Sequence, residues 1–238
     1  VPFMAIFYLL ISFLVLILNI KALPAAVAQI FIGAFSPQAI AGGTAGSFIV
    51  AMQNGIARGI FSNEAGLGSA PIAAAVAKTK EPVRQGLVSM TGTFIDTIII
   101  CTLTGLTIVV TGSWNIGLDG VYVTMNAYSA LPGVLSEIGP ILLSVCLVFF
   151  AFTTILGWNF YGERCLEYIV GRKRVAIYIY RIAYILAVFI GPYMTIQAVW
   201  NIADIFNGLM ARPNMIAMLA PSGVVVKETK AYFKKYPR

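Results

Sequence analysis

The feature that most constrains this chain is its series of apolar runs, each about long enough to cross a lipid bilayer. The runs lie at 1–20, 43–61, 87–111, 138–161, 175–190 and 193–210. A membrane-spanning helix needs about 20 predominantly apolar residues. The chain is 59% hydrophobic and 11% charged, whereas an ordinary soluble domain is about 25% charged. We therefore predict an all-α integral membrane protein with about six transmembrane helices.

The basic residues lie at the ends of these runs. Lys and Arg are frequent in segments 78–84, 164–174 and 212–238 and absent from 113–135. Cytoplasmic loops carry the excess of Lys and Arg in membrane proteins. The pattern predicts a transmembrane bundle over 1–212 and a basic cytoplasmic tail over 213–238, in the inner cell membrane. Because membrane topology explains the net charge of +7, we expect no nucleic-acid partner.

The inventory of reactive side chains argues against catalysis. Histidine is absent, and the three cysteines, Cys101, Cys146 and Cys165, lie in or beside apolar runs. Imidazole bases and His-ligated metals are excluded, and no nucleophile has an evident base. We expect neither an enzyme nor a cofactor. Val1 begins inside an apolar run without the features of a signal peptide, which predicts that an N-terminal part is missing.

A polar, glycine-containing segment at 61–71 interrupts one apolar stretch. It contains Ser62, Asn63, Glu64 and Ser69 together with two glycines and a proline, and a helix is predicted at 72–77. Irregular backbone at membrane depth persists only where it lines a cavity or is buried in protein. We interpret the segment as a discontinuous span whose free amides bind a carboxylate and whose carbonyls bind a cation. A plain cytoplasmic turn is the alternative.

Ionisable residues mark two further positions. Arg58 and Glu64 flank the break, and they are interpreted either as partners in a gate or as a structural pair. Asp96 lies on a polar face of the 87–111 run, where it contributes to a cation site or bonds to a neighbouring helix.

The 138–161 run carries a set of candidate oxygen ligands. In a helix, the hydroxyls of Thr153 and Thr154 lie near the carbonyl of Phe150, and oxygen-only ligands suit a hard cation such as sodium. Back-bonding of both threonines to the helix is the alternative. Trp158 shares a face with Thr154, where it would wall a small pocket or anchor the helix at the interface.

The segment 55–75, GIARGIFSNEAGLGSAPIAAA, resembles the sodium:alanine (alanine/glycine:cation) symporter family. Segments 85–88 (QGLV), 94–97 (FIDT) and 153–158 (TTILGW) resemble the same family, so the similarity extends along essentially the whole chain. The family has a leucine-transporter-type fold of two five-helix inverted repeats. The resemblance implies that the chain holds the second repeat and that the first repeat is missing.

The resemblance also implies roles for particular residues. Phe61, Ser62, Asn63, Gly66, Thr154 and Trp158 would bind the substrate, alanine or glycine, and Phe150, Thr153 and Thr154 would hold the co-transported sodium ion. The implied activity is sodium-coupled symport of a small neutral amino acid. A cation channel or pore subunit and a non-transporting remnant remain as alternatives, and sodium-dependent, saturable uptake separates them from a symporter.

Overall fold

The computed structural model describes residues 2–35 and 45–237, and within these ranges the regular structure is helical. The α-helices are α1 Pro2–Leu18, α2 Leu23–Phe35, α3 Ala45–Ser62, α4 Ser69–Ala74, α5 Pro82–Thr93, α6 Cys101–Val110, α7 Val121–Ser129, α8 Leu135–Val170, α9 Arg174–Ile190, α10 Ile196–Leu219 and α11 Ser222–Lys235. A π-helical segment, Phe94–Ile100, connects α5 to α6. The all-α fold class expected from the sequence is confirmed over the described residues.

The described helices differ in their capacity to cross a membrane. Three of them are long and apolar enough, namely Pro82–Val110, Leu135–Val170 and Arg174–Tyr193. Two bent pairs, Pro2–Leu18 with Leu23–Gly33 and Ile196–Leu219 with Ser222–Lys235, raise this number to five if each pair is one span. The expected number of six and the inverted-repeat fold remain predictions.

The helix bounds extend or shift several expected runs. The fourth run was expected to end near Tyr161, but α8 continues to Val170. The added residues are more polar, so hydropathy alone does not show that the helix continues. The sixth was expected to end near Met210, but α10 continues through Pro213 to Leu219. The expected boundary between bundle and tail at 212 therefore falls inside a helix, and the division into bundle and tail remains a prediction. The expected start of the second run, at 43, lies outside the described residues.

The chain divides into two compact units. The first unit comprises 1–56 and 96–154, and the second comprises 57–95 and 155–238. In the first unit, α1 packs against α6 and α7. Its core contains Tyr8, Ile11, Val15, Tyr128, Leu131 and Leu143. Two hydrogen bonds between side-chain hydroxyls stabilise this core, one between Tyr8 and Thr104 and one between Ser12 and Tyr128.

In the second unit, an ion pair and two tyrosines join α8 to α9. The Arg181 guanidinium donates to both carboxylate oxygens of buried Glu163, at 2.7 and 2.9 Å. The Tyr184 hydroxyl donates to the Ile155 carbonyl at 2.8 Å, and the Tyr180 hydroxyl donates to the Asn159 carbonyl at 3.5 Å. Because the bidentate pair satisfies both charges, α8 and α9 hold a fixed register.

The last helix of the second unit returns to the start of α5. Lys235 Nζ donates to Glu81 Oε1 at 2.7 Å, and the Tyr236 hydroxyl donates to the same oxygen at 3.1 Å. The Lys235 hydrogen bond lowers the pKa of the Glu81 carboxyl from its ordinary value. This contact therefore joins α11 to the loop that follows the 61–71 segment.

Candidate functional site

The expected break in the helical run is present between α3 and α4. Helix α3 ends at Ser62, a single 3₁₀ turn covers Glu64–Gly66, and α4 begins at Ser69 rather than at Ile72 as expected. Asn63 caps the 3₁₀ turn, since its Oδ1 accepts from the Ala65 amide at 3.1 Å. The earlier start of α4 follows from Gly68, whose left-handed conformation (φ 86°) allows a turn immediately before Ser69.

Hydrogen bonds within and around the break fix its shape. The Ser69 hydroxyl donates to Glu64 Oε2 at 2.7 Å, which joins the start of α4 to the 3₁₀ turn. The Asn214 side chain, on α10, donates to the Gly66 carbonyl at 2.8 Å. Gly68 has φ +86°, and a Cβ atom at this position would lie 3.2 Å from Asn214 Oδ1. The break is therefore an ordered structure that α10 supports.

The side chains of Arg58 and Glu64 form hydrogen bonds with other residues rather than with each other. Arg58 Nη2 donates to Asp204 Oδ2 on α10 at 2.7 Å, whereas Glu64 accepts from Ser69. The expected pairing of Arg58 with Glu64 is thus replaced by two separate contacts. The reason is geometric: Glu64 lies in the turn beyond the end of α3, where Ser69 is local, while Arg58 lies within α3 and contacts α10.

An aromatic and charged cluster surrounds Phe61. The Phe61 and Trp200 rings are perpendicular, with centroids 4.8 Å apart. The Arg58 guanidinium carbon lies 3.8 Å from the Trp200 ring centroid and 5.1 Å from that of Phe61. Each cation–π contact of this kind contributes on the order of 1 kcal/mol. We call Arg58, Phe61, Trp200 and Asp204 the Phe61 clamp.

A cavity of about 570 Å³ lies beside the break, within the second unit. Its lining includes Gly68 and Ser69 from the break, Trp158 and Tyr161 from α8, Tyr180 and Tyr184 from α9, and Asn214 from α10. The volume is within the ~300–1,000 Å³ range of small-molecule pockets, and the lining is mostly apolar with a few polar groups. Trp158 is part of this wall, and its expected role at the substrate remains a prediction.

The structure places the other expected substrate residues apart from this lining. Among the described residues, the cavity wall does not include Phe61, Ser62, Asn63 or Gly66, although Gly66 is bonded to the lining residue Asn214. Thr154 belongs to the first unit, where its side chain is exposed. Trp158 therefore lines the same cavity as the C-terminal side of the break, whereas Phe61 contacts α10.

The expected sodium ligands all lie in the first unit, on α8. The Thr153 hydroxyl donates to the carbonyls of Phe149 and Phe150, each at 3.0 Å. The Phe150 ring packs edge-on against Tyr8, with centroids 6.2 Å apart. A back-bonded hydroxyl still has lone pairs for a cation. Thr153 and the Phe150 carbonyl are therefore adjacent, as the sequence predicted, but the hydroxyl proton is used within the helix.

The π-helical segment changes the polar face on which Asp96 was expected. Seven residues, Phe94–Ile100, adopt this wider helix, and Asp96 lies inside it. A π segment breaks the spacing of three and four residues, so positions before and after it no longer share one face. Asp96 also has an interaction with a neighbouring group.

Sequence reasoning missed the residues of α9 and α10 that support the site. Asn214, Trp200 and Asp204 contact the α3–α4 region from positions more than 130 residues later in the chain. Tyr180 and Tyr184 were read only as parts of an apolar run. Of these residues, only Asp204 could have been singled out from the sequence, because a carboxylate inside an apolar run is costly unless it has a partner.

Known proteins resemble this chain along nearly its whole length. The sequence profile of the sodium:alanine symporter family matches residues 1–238. The chain belongs to this family. Family membership and the apolar helices together identify a membrane-integral protein.

Several curated relatives share the similarity along nearly all of the chain. An uncharacterized transporter of Haemophilus influenzae is 54% identical over 99% of this chain and 51% of its own length. The sodium/alanine symporter AgcS of Methanococcus maripaludis is 49% identical over 98% of this chain and 50% of its own length. The amino-acid carrier protein AlsT of Bacillus subtilis is 40% identical over 99% of this chain and 49% of its own length. The chain therefore spans about half the length of these relatives.

Proposed function

We propose that the protein containing this chain is a secondary active transporter that couples sodium entry to uptake of a small neutral amino acid, alanine or glycine. The observation that carries the proposal is the family match along residues 1–238. The relative named as a sodium/alanine symporter supports the choice of ion and substrate. The protein acts in the inner cell membrane with the basic C-terminal tail in the cytoplasm, and the chain supplies the second of two inverted repeats.

In this proposal the break binds the carboxylate of the amino acid. The Asn63 amide donates to the Gly59 carbonyl of α3, and the amides of Ala65 and Leu67 already have acceptors inside the break. The substrate carboxylate therefore uses other amides of the segment 61–68, together with the Ser62 and Asn63 side chains. Phe61 and Trp158 limit the volume left for the substrate side chain. A small substrate is favoured because both limiting residues are large aromatic groups.

Sodium binds to oxygen atoms on α8. The Phe150 carbonyl and the Thr153 hydroxyl lie 3.0 Å apart, and Thr154 follows directly in the helix. Oxygen ligands of this kind match a hard cation. Sodium stabilises the state that accepts the amino acid, and alternate exposure of the site on the two sides of the membrane completes transport.

The proposal is tested by uptake of labelled alanine and glycine into vesicles that contain the complete gene product. We expect saturable uptake that requires an inward sodium gradient and is lost when a sodium ionophore collapses that gradient. Linear, non-saturating flux would indicate a pore, and no flux in either condition would indicate a remnant. Either result would refute the proposal.

The sodium site has its own test. Replacing Thr154 with valine removes one ligand at nearly constant volume, so we expect the sodium concentration for half-maximal uptake to rise at least severalfold. Thr229→Val is the matched control, because Thr229 bonds its hydroxyl back to Val225 in α11 and is not part of the proposed site. An unchanged sodium response in Thr154→Val would show that Thr154 is not a ligand.

A further inference from the structure

The Phe61 clamp holds one side chain of the break against another helix. Arg58 and Phe61 lie three residues apart on α3, and Trp200 and Asp204 lie four apart on α10. Residues at these spacings share one helical face. Each helix therefore presents one aromatic ring and one charged group to the other, and the ring contact and the ion pair form together.

Phe61 needs these contacts because of its place in the chain. It is the residue before the last one of α3, and the regular helix ends at Ser62. A residue at a helix end has lost part of the hydrogen-bonded ladder that orders helix interiors. The ring of Phe61 is also only partly buried. Its orientation thus depends on the perpendicular Trp200 ring and on the Arg58 guanidinium beside it.

Asp204 holds the guanidinium in this position. Its Oδ2 accepts from Arg58 Nη2 at 2.7 Å. Within the described residues, the other terminal nitrogen, Nη1, is buried and makes no hydrogen bond. If Asp204 lost its charge, the guanidinium would lose the carboxylate that neutralises it. It would then be drawn toward other acceptors and away from Phe61.

We propose that Trp200 and Asp204 are positioning residues that fix the Phe61 ring and thereby set the largest side chain that the transported amino acid can carry. This inference rests on the proposed function, in which Phe61 limits the substrate volume. Neither α10 residue needs to touch the substrate. Their effect passes through the position of one ring, so they change which amino acids are accepted rather than whether sodium drives uptake.

The test measures selectivity in vesicles that contain the complete gene product. For alanine and for leucine, sodium-driven uptake gives kcat/KM, and the ratio of the two values reports the size limit. We expect Trp200→Ala to reduce the preference for alanine by about tenfold or more, since a hydrophobic pocket discriminates by ~10–200-fold per methylene. Asp204→Asn should reduce the preference in the same direction, and Trp200→Phe, which keeps an aromatic ring, should retain most of it.

A merely structural role predicts a different pattern. Loss of helix packing would lower uptake of both amino acids by the same factor and would leave the ratio unchanged. Trp114→Ala is the control, because Trp114 is 53% exposed and lies in the first unit. We expect it to keep the wild-type ratio. Asp204→Asn removes a charge at nearly constant shape, so it provides the test if Trp200→Ala does not fold.

The outcomes separate this inference from the proposed function. If wild-type protein shows no sodium-driven uptake, the proposed function fails, and this inference fails with it. If wild-type protein transports alanine and the ratio is unchanged in both Trp200→Ala and Asp204→Asn, the inference alone is refuted. A fall in the ratio in these variants, with Trp114→Ala unchanged, supports it.

Discussion

Replacing Gly68 with alanine tests whether the break has the shape described. Gly68 has φ +86°, and a non-glycine residue in this left-handed region costs ~1–2 kcal/mol. The new Cβ would also lie 3.2 Å from Asn214 Oδ1, so the amide must move. Movement of the Asn214 amide weakens its hydrogen bond to the Gly66 carbonyl, and a hydrogen bond of this kind contributes about 1 kcal/mol. The expected loss is therefore about 2–3 kcal/mol in the free energy of unfolding.

Two further variants separate these contributions. Gly66→Ala is the matched control, because no atom lies within 4 Å of its Cβ position and its φ is not positive. We expect it to behave like the wild type. In Asn214→Ala the atom that crowds the new Cβ is absent, so Gly68→Ala made in that background should cost less than in the wild type. What remains is the conformational cost of alanine at a left-handed position.

Thermal unfolding of the purified complete gene product in detergent is the assay. In a protein about twice as long as this chain, a loss of 2–3 kcal/mol corresponds to a fall in Tm of roughly 2–6 °C. Gly68→Ala should show this fall, and Gly66→Ala should not. If the two variants unfold at the same temperature, the left-handed turn and its contact with α10 are wrong.

Two other predictions concern the contacts around the site. Gly162→Ala would place a Cβ in steric conflict with the Tyr180 hydroxyl oxygen, so we expect overpacking to cost ~1–3 kcal/mol. Gly157→Ala, with no atom within 4 Å of its Cβ, should be tolerated, and thermal unfolding compares the two variants. The Lys235 hydrogen bond lowers the pKa of Glu81. The ion pair between Lys235 on α11 and Glu81 before α5 should therefore be fully formed above the ordinary Glu pKa of 4.5 and be lost as pH falls through the lowered pKa. Spin labels on α5 and α11 should report this separation, and Lys235→Gln, which leaves the Tyr236 hydrogen bond in place, should reduce the pH dependence.

Elements with strong local signals were predictable from the sequence. Helix α9 was expected at 175–190 and is observed at Arg174–Ile190, because basic residues precede it and Gly191-Pro192 follows it. The break at 61–71 was located from its glycines, its proline and its polar side chains. The π segment Phe94–Ile100 was not predicted, because hydropathy responds to composition and not to the width of a helix.

The candidate site was predictable only where neighbours in sequence are neighbours in space. The Thr153 hydroxyl and the Phe150 carbonyl are one helical turn apart, and the sequence placed them together. Arg58 and Asp204 are 146 positions apart, and the composition of either helix does not indicate which charge pairs with which. Arg58 was predicted to pair with Glu64 because the two are close in sequence, but in the folded chain Arg58 donates to Asp204.

Sodium-coupled symport is tested most directly by reversing the driving force. Vesicles that contain the complete gene product receive an inward gradient of alanine and radioactive sodium at equal concentration on both sides. Because a symporter moves the two solutes together, we predict that the alanine gradient alone drives net sodium entry, and that glycine but not a sugar replaces alanine. Sodium flux that is independent of the alanine gradient, or equal to that of protein-free vesicles, would contradict it.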